Sequence, residues 1–162
     1  MEAMITRPAI ASDIPAMVAL SGKKRQAYEK VQPQFWKPAQ EANHNQSVWF
    51  GELLAAHDHI LLVFEEDQHI QGFIIGKLLN APTVYDPGGL TLMIDDFCVS
   101  ESSRWVDIGH SLLLDLRKRA RDKGAVQELI VCGHHDAPKR AFLKSVGLTI
   151  ASEWYVAPIE RF

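Results

Sequence analysis

The spacing of apolar residues along the chain predicts alternating strands and helices. Runs rich in β-branched and aromatic residues predict strands, whereas apolar residues three and four positions apart predict helices. The predicted strands cover residues 5–7, 59–65, 70–78, 90–99, 127–132 and 148–156, and the predicted helices cover 12–28, 49–56, 108–123 and 136–146. This order, β-α-α-β-β-β-α-β-α-β, indicates an α/β fold with a mixed central sheet flanked by helices. The 162 residues fit one domain, 1–162.

Local signals refine this outline. Gly124 ends the third helix, and Asp136 is placed to cap the fourth. The strand at 127–132 lacks alternation of apolar and polar residues, which predicts that both of its faces are buried. The segment after the last predicted turn is short and has room for one strand, so we expect an open sheet edge that a second subunit covers in a homodimer.

Composition narrows the functional classes. The chain is 47% apolar and 23% charged, as ordinary globular proteins are. A formal net charge of −3 gives no general reason to bind nucleic acid or an anionic membrane, and no segment approaches the roughly 20 apolar residues of a membrane span. Cys98 and Cys132 both lie in apolar runs, which is typical of core thiols in a reducing compartment. We therefore expect a cytoplasmic protein without nucleic-acid or membrane partners.

The segment 95–113 predicts a strand, a loop and a helix that can receive a phosphate group. The first N–H groups of a helix lack partners within it, and the helix dipole is positive at that end. Gly109 permits close approach, and Arg104 can add a charge-assisted hydrogen bond. Polar loops and glycines are also ordinary at β-α junctions. Asp107 is moreover placed to be a plain N-cap, whose carboxylate would repel an anion.

Val99, Arg104, Gly109 and the pair Leu112-Leu113 stand in the register of a known signature. The signature is Val-x-Pro-x-x-Arg/Gln-x-x-Gly-x-Gly/Ala followed by Leu-Leu, and the chain resembles the GNAT acetyltransferases that carry it. Two positions depart from it, because Glu101 replaces the proline and Asp107 replaces the first glycine. The resemblance covers nearly the whole chain. It implies the GNAT fold, acetyl-CoA as co-substrate and an amine acceptor.

The resemblance also implies which residues hold the cofactor. The backbone of Phe97, Cys98 and Val99, at the end of the fourth strand, falls where the family binds the pantetheine arm. By the same resemblance, the next segment is expected to bind the pyrophosphate, and the cap of the fourth helix is expected to face the cofactor. These positions are Arg104, Trp105, Val106, Asp107, Ile108, Gly109, His110, Ser111 and Asp136.

Two adjacent carboxylates are the candidates for proton transfer. Asp95 and Asp96 point to opposite faces of a regular strand, so only one faces a given cleft. Their strand resembles that of the spermidine/spermine branch, where an acidic pair precedes Phe-x-Val, and this implies Asp95 as the base. The structural alternative is a hydrogen-bonded carboxylate that fixes a strand bulge.

The family's usual acid is missing. A tyrosine normally stands where this chain has Leu143, as the following Gly147 and Leu148 show by their register. The acid is then Tyr85, His134 or Tyr155, or the thiolate leaves without one. His134 and His135 do not indicate a metal site, because adjacent side chains diverge and no second ligand cluster is recognisable.

The acceptor site is expected between the loops at 28–49 and 81–89, which border it in the family. Trp36, Tyr85 and Asp96 are the candidate substrate residues, since aromatic and acidic groups suit a cationic amine. Trp49 lies on a helical stripe and is expected in the core. The leading acceptor is a diamine or polyamine-like small molecule. A protein lysine or N-terminal amine is the alternative, and a non-catalytic acyl-CoA sensor is another that draws on Asp107 and Leu143.

Overall fold

The structure, a computed structural model, describes residues 3–161. Its strands are β1 (Met4–Pro8), β2 (His59–Glu66), β3 (His69–Leu79), β4 (Leu90–Val99) and β5 (Ala125–Ile130). Its longer helices are α1 (Ile14–Val31), α2 (Ala42–Ala55), α3 (His110–Asp122) and α4 (Ala137–Ser145). One wide π-helical turn, Trp105–Gly109, leads into α3. None of the helices in the described residues is long and apolar enough to cross a membrane.

The sheet has the strand order β1-β2-β3-β4-β5, antiparallel except for the parallel pair β4–β5. Successive residues of a strand point to opposite faces, and both faces of the central strands are apolar. Leu62 and Ile74 face α3 and α4, whereas their neighbours Val63 and Phe73 face α1 and α2. The predicted α/β class with a mixed, helix-flanked sheet is confirmed.

Two glycines of β3 let α3 lie close to the sheet. A Cβ on Gly72 would lie 2.7 Å from a methyl carbon of Ile108, and one on Gly76 would lie 3.1 Å from Leu116. Neither position has room for a side chain. The π turn and α3 are therefore held against β3 along their length.

Most element boundaries agree with the sequence patterns. Strand β4 has the predicted bounds, Asp136 accepts a hydrogen bond from the Lys139 N–H, and Gly124 and Gly147 adopt φ values of +97° and +92° after their helices. Helix α2 begins earlier than predicted, at Ala42, because its first turns are polar and show no apolar stripe.

The prediction that the fifth strand is buried on both faces is wrong. Strand β5 lies at the sheet edge, and Val126 and Leu129 are 54% and 44% exposed. Helices α1 and α2 pack mainly over β2, β3 and β4, so the face of β5 that bears Leu129 is left largely uncovered. Val126 points to the opposite face and is exposed at the beginning of the strand. An apolar run without alternation does not by itself distinguish burial from an uncovered face.

The predicted final strand at 148–156 is also wrong. Within the described chain, residues 149–158 (the C-terminal segment) form no strand and pair with none of the five. Trp154 and Tyr155 are 82% and 88% exposed, and Trp154 contacts the ring of Phe35 at a centroid distance of 6.3 Å. A strand-like sequence forms a strand only where a partner edge lies within reach.

Candidate active site

A cavity of about 580 Å³ (the site cavity) opens where β4 ends, between α1 and the turn that leads into α3. Its walls come from α1, the loop after it, the end of β4, the π turn and the beginning of α4. Among the lining residues are Lys24, Tyr28, Trp36, Val99, Trp105 and Asp136. The cavity therefore joins the segments that the sequence assigned to the cofactor with one aromatic residue assigned to the acceptor.

The end of β4 presents free backbone groups to this cavity. Pairing between β4 and β5 ends at Ile94, whose carbonyl accepts the N–H of Val131, and the two strands then separate. On the other side, Ser100 N–H donates to β3. Because hydrogen bonds alternate along an antiparallel pair, the backbone groups of Phe97 and Val99 point away from β3 and into the gap. The gap can take one extended, amide-containing chain.

The Arg104 side chain does not extend into the site as the sequence suggested. Its guanidinium bonds to Glu66 at 3.1–3.2 Å and to Asp107 at 2.9–3.2 Å. Arg104 holds the pKa of Asp107 below its ordinary value, so this carboxylate is ionised and paired. Asp107 lies inside the π turn and caps no helix, which corrects the N-cap interpretation. The Arg104 side chain is therefore paired within the protein and does not extend into the site cavity.

The other residues of this segment divide between the core and the surface. Trp105, Ile108 and Gly109 are buried, whereas Val106 is 76% exposed and His110 is exposed. A Cβ on Gly109 would lie 2.7 Å from the Trp105 ring. The Ser111 hydroxyl is 2.8 Å from that of Thr6, so its side chain ties α3 to β1.

Asp95 and Asp96 occupy a bulge in β4. Ile74 pairs with Phe97 and Gly76 with Ile94, so the single residue between them on β3 faces both carboxylates. Asp95 is exposed. Asp96 is half-buried, and burial raises the pKa of its carboxyl, to which the nearby Asp95 adds while Lys24 opposes it. Neither carboxylate lines the site cavity.

Tyr28 is a site residue that sequence reasoning missed. Its hydroxyl donates to the Asp136 carboxylate at 2.6 Å and accepts the Gly133 N–H at 3.3 Å. Burial, followed by the negative charge of Asp136, raises the pKa of this phenol. Its ring meets that of Trp36 edge to face, at 4.7 Å. The spacing of Leu20, Lys24 and Tyr28 on one face of α1 was the available signal.

Lys139 was also missed. It is 1% exposed, and its ammonium donates to the Phe97 carbonyl at 3.2 Å. It lies 5.6 Å from the centroids of both the Phe97 and Trp105 rings. The signal was a lysine on an apolar stripe, because Lys139, Phe142 and Leu143 are the buried residues of α4.

The three candidate acids of the sequence lie away from the site cavity. Tyr85 is 73% exposed in the loop before β4, and Tyr155 is 88% exposed and donates to Glu153. His134 is exposed, and only its neighbour His135 lines the cavity. Trp49 is 44% exposed, so its expected place in the core is wrong. The described residues hold no group of three or more His, Cys, Asp or Glu side chains suited to a metal ion.

Comparison with known proteins gives one family. The model of the acetyltransferase (GNAT) family matches residues 25–148. None of the curated proteins matches the sequence.

Solved structures share the fold over almost the whole chain. A protein from Clostridium acetobutylicum, described as a predicted acetyltransferase with acetyl-CoA, has a TM-score of 0.73 at 20% identity and covers 99% of both chains. An aminoglycoside N-acetyltransferase in complex with CoA has 0.74 at 11%, covering 98% of this chain and 95% of its own. A ribosomal-protein-alanine N-acetyltransferase from Brucella melitensis has 0.66 at 15%, covering 97% and 100%. Such identities establish a common fold, while the named acceptors differ.

Proposed function

The chain belongs to the acetyltransferase (GNAT) family, and we propose that it transfers an acetyl group from acetyl-CoA to the primary amine of a small cationic molecule. It is an acetyl-CoA-dependent acetyltransferase by family. The observation that carries the proposal is the backbone edge of β4 at Phe97 and Val99, which has no neighbouring strand and opens into a cavity next to aromatic side chains.

The residues of the site cavity fit acetyl-CoA. The amide-rich arm matches the Phe97 N–H and the backbone groups of Val99, which point away from β3, since an extended chain can bond there as a strand does. The diphosphate matches the segment 104–111, where a helix begins and Arg104 neutralises Asp107. Acetyl-CoA supplies the activated acetyl thioester.

The carboxylates at the bulge of β4 are the candidates for accepting the proton of the acceptor amine. We assign the base to Asp95, whose exposed carboxylate is free to receive the amine proton directly or through water. Asp96 then contributes to acceptor binding. Its half-buried position beside Lys24 makes it the natural comparison for any variant of Asp95.

Aromatic rings support a small cationic acceptor. Tyr28, Phe35 and Trp36 form successive edge-to-face contacts at the outer part of the site, at centroid distances of 4.7 and 5.2 Å. The faces of such rings attract ammonium groups. A diamine or polyamine-like molecule suits this arrangement better than a folded protein, which would need an open groove. Tyr85 stays a candidate for acceptor contact from the neighbouring loop.

Ligand-dependent stabilisation and thiol release test the proposal. CoA is expected to raise the melting temperature, and acetyl-CoA is expected to release free thiol with a diamine, a polyamine or an aminoglycoside. Release only with a lysine-containing peptide would move the acceptor class to proteins. Binding without release for any amine would favour a sensor, and absence of binding would overturn the proposal.

A homodimer and a cytoplasmic location are further parts of the proposal. The dimer is supported by the uncovered edge strand β5 and by the exposed C-terminal segment, whose strand-like sequence has no partner within the described chain. Size measurement by light scattering tests it. The location is supported by Cys98 and Cys132, which are both free thiols.

A further inference from the structure

Helix α4 carries a buried ammonium that the steps above leave unused. Lys139 is 1% exposed, whereas Arg140 and Lys144 on the same helix are exposed. Burying an ammonium costs free energy unless it is paired, and the only hydrogen bond of this ammonium in the described chain is to a main-chain carbonyl. A lysine at this position destabilises the fold, so a chemical role is a reason for its presence there.

The ammonium lies next to the part of β4 along which we propose that the arm of acetyl-CoA runs. It bonds to the carbonyl of Phe97, which points into the gap between β4 and β5. The rings of Phe97 and Trp105, which flank it, both line the site cavity. A ligand arm that follows the β4 edge therefore passes directly beside the ammonium.

The same face of α4 lacks the acid that this chemistry needs. Leu143 stands where a tyrosine is expected, and it is buried without an ionisable group. Lys139 precedes it by four residues, so the two side chains share one face of the helix. Lys139 is the one ionisable group among the buried residues of α4.

We propose that Lys139 is the general acid that protonates the thiolate of coenzyme A, which rests on the proposed acetyl transfer. The acceptor amine forms a C–N bond to the acetyl carbon, and the C–S bond breaks with its electron pair going to sulfur. Nζ of Lys139 gives its proton to that sulfur, and the amine proton goes to the carboxylate base. The neutral lysine regains a proton from solvent when the products leave.

The surroundings favour proton donation. Burial lowers the pKa of Lys139 from its ordinary value, and Lys24 of α1 lowers it further. Cys98 of β4, Cys132 after β5 and Asp136 at the beginning of α4 act in the opposite direction. A lowered pKa makes the ammonium a stronger acid near neutral pH.

Lys139→Met tests the assignment, because methionine keeps the apolar stem and removes the ammonium. We expect kcat with acetyl-CoA to fall at least tenfold, while the KM for acetyl-CoA changes less than threefold. The limb of the pH–rate profile on which activity falls at high pH should disappear. Lys144→Met, at an exposed lysine of the same helix, is the matched control and should behave as the unmodified protein does.

A double variant distinguishes a chemical role of Lys139 from a purely structural one. Lys139→Met combined with Leu143→Tyr should regain at least threefold of the lost kcat, because a phenol then stands on the same helix face. If Lys139 only plugs the gap, Lys139→Met frees the Phe97 carbonyl, so CoA binds more tightly and kcat is kept. That result would overturn the proposal.

Two measurements need no turnover by a variant. Titration of the unliganded protein by NMR of labelled lysine side chains should find one amine deprotonating well below the ~10.4 of exposed lysines, and this signal should be missing in Lys139→Met. Mass spectrometry after incubation with acetyl-CoA should find Lys139 unmodified, since an acetylated Nζ would make it a nucleophile and contradict the acid role. If the unmodified protein releases no thiol with any amine, the proposed function itself fails, whereas normal turnover by Lys139→Met refutes only this inference.

Discussion

The two ends of the site cavity are built differently. The cofactor end, residues 97–99 and 104–111, consists of backbone packed against the core, with Ile108 fully buried and Trp105 6% exposed. The acceptor end, formed by Tyr28, Phe35, Trp36 and Trp154, consists of rings that reach from the cavity to the surface, where Trp154 is 82% exposed. If the proposed assignment holds, acetyl-CoA is bound mainly by main-chain groups, and the acceptor is bound by aromatic side chains of α1, the loop after it and the C-terminal segment.

The largest expected effect comes from breaking the cofactor end. Gly109→Val puts side-chain carbons where a Cβ already lies 2.7 Å from Trp105, so the π turn must shift. We expect affinity for CoA to fall about 100-fold, or about 2.7 kcal/mol, in isothermal titration calorimetry. Gly51→Val is the control, because a Cβ there meets only Ile14 at 4.0 Å. Equal affinity in the two variants would show that the turn does not bind the cofactor.

The next effect is expected at the bulge of β4, which belongs to neither end of the site cavity. Asp95→Asn should lower kcat at least tenfold, about 1.4 kcal/mol, with CoA affinity unchanged, as measured by thiol release and calorimetry. Asp96→Asn is the paired variant. Since burial raises the pKa of Asp96, its charge destabilises the fold as the pH rises through that pKa, so the variant should melt at a higher temperature at pH 7. A larger loss of kcat in Asp96→Asn than in Asp95→Asn would show that Asp96 is the base.

A smaller effect is expected from a variant that should strengthen binding at the cofactor end. Asp107→Asn removes a negative charge next to the expected diphosphate while keeping the shape of the side chain. Arg104 keeps its bond to Glu66, so we expect CoA to bind about threefold more tightly, or about 0.7 kcal/mol. Binding of acetylpantetheine, which has no phosphate, should not change in the same titration. Tighter binding of both ligands would show that the effect is not electrostatic.

The smallest effect is expected at the acceptor end. Trp154→Ala removes the edge-to-face contact with Phe35, and such contacts contribute about 0.5–1.5 kcal/mol. The KM for the amine should rise about threefold, with the KM for acetyl-CoA unchanged. Ile159→Ala, at another exposed residue near the C-terminus, should leave both constants as they are. A change in the KM for acetyl-CoA would remove the distinction between the two ends.

The sequence predicted most of the fold because the bounds of its elements depend on short-range rules. Alternation gave β4 its bounds, and the glycine signals after α3 and α4 correspond to left-handed conformations at Gly124 and Gly147. Gly109 stands before α3 for a different reason, because its φ is −59° and a Cβ there would lie 2.7 Å from the Trp105 ring. Such features depend on residues that are neighbours along the chain.

The residues that were missed depend on long-range contacts. Tyr28 meets Asp136 and Lys139 meets Phe97, across separations that no local pattern reveals. The burial of β5 and the final strand were mispredicted because a strand needs a neighbour or a covering helix, and sequence periodicity does not report either. Tyr85 and Tyr155 were chosen by residue type alone, and both side chains are largely exposed.

The missing side chains of Gly72 and Gly76 set the spacing between α3 and the sheet. Gly72 and Gly76 carry no side chain where the helix crosses β3, so adding one methyl group at either would push the helix away from the sheet together with the π turn before it. Random mutagenesis would then find binding defects in a strand whose residues never meet the ligand. Gly72 and Gly76 would therefore support the site from a distance. Loss-of-function variants should be as frequent at these two positions as at residues in direct contact with the ligand.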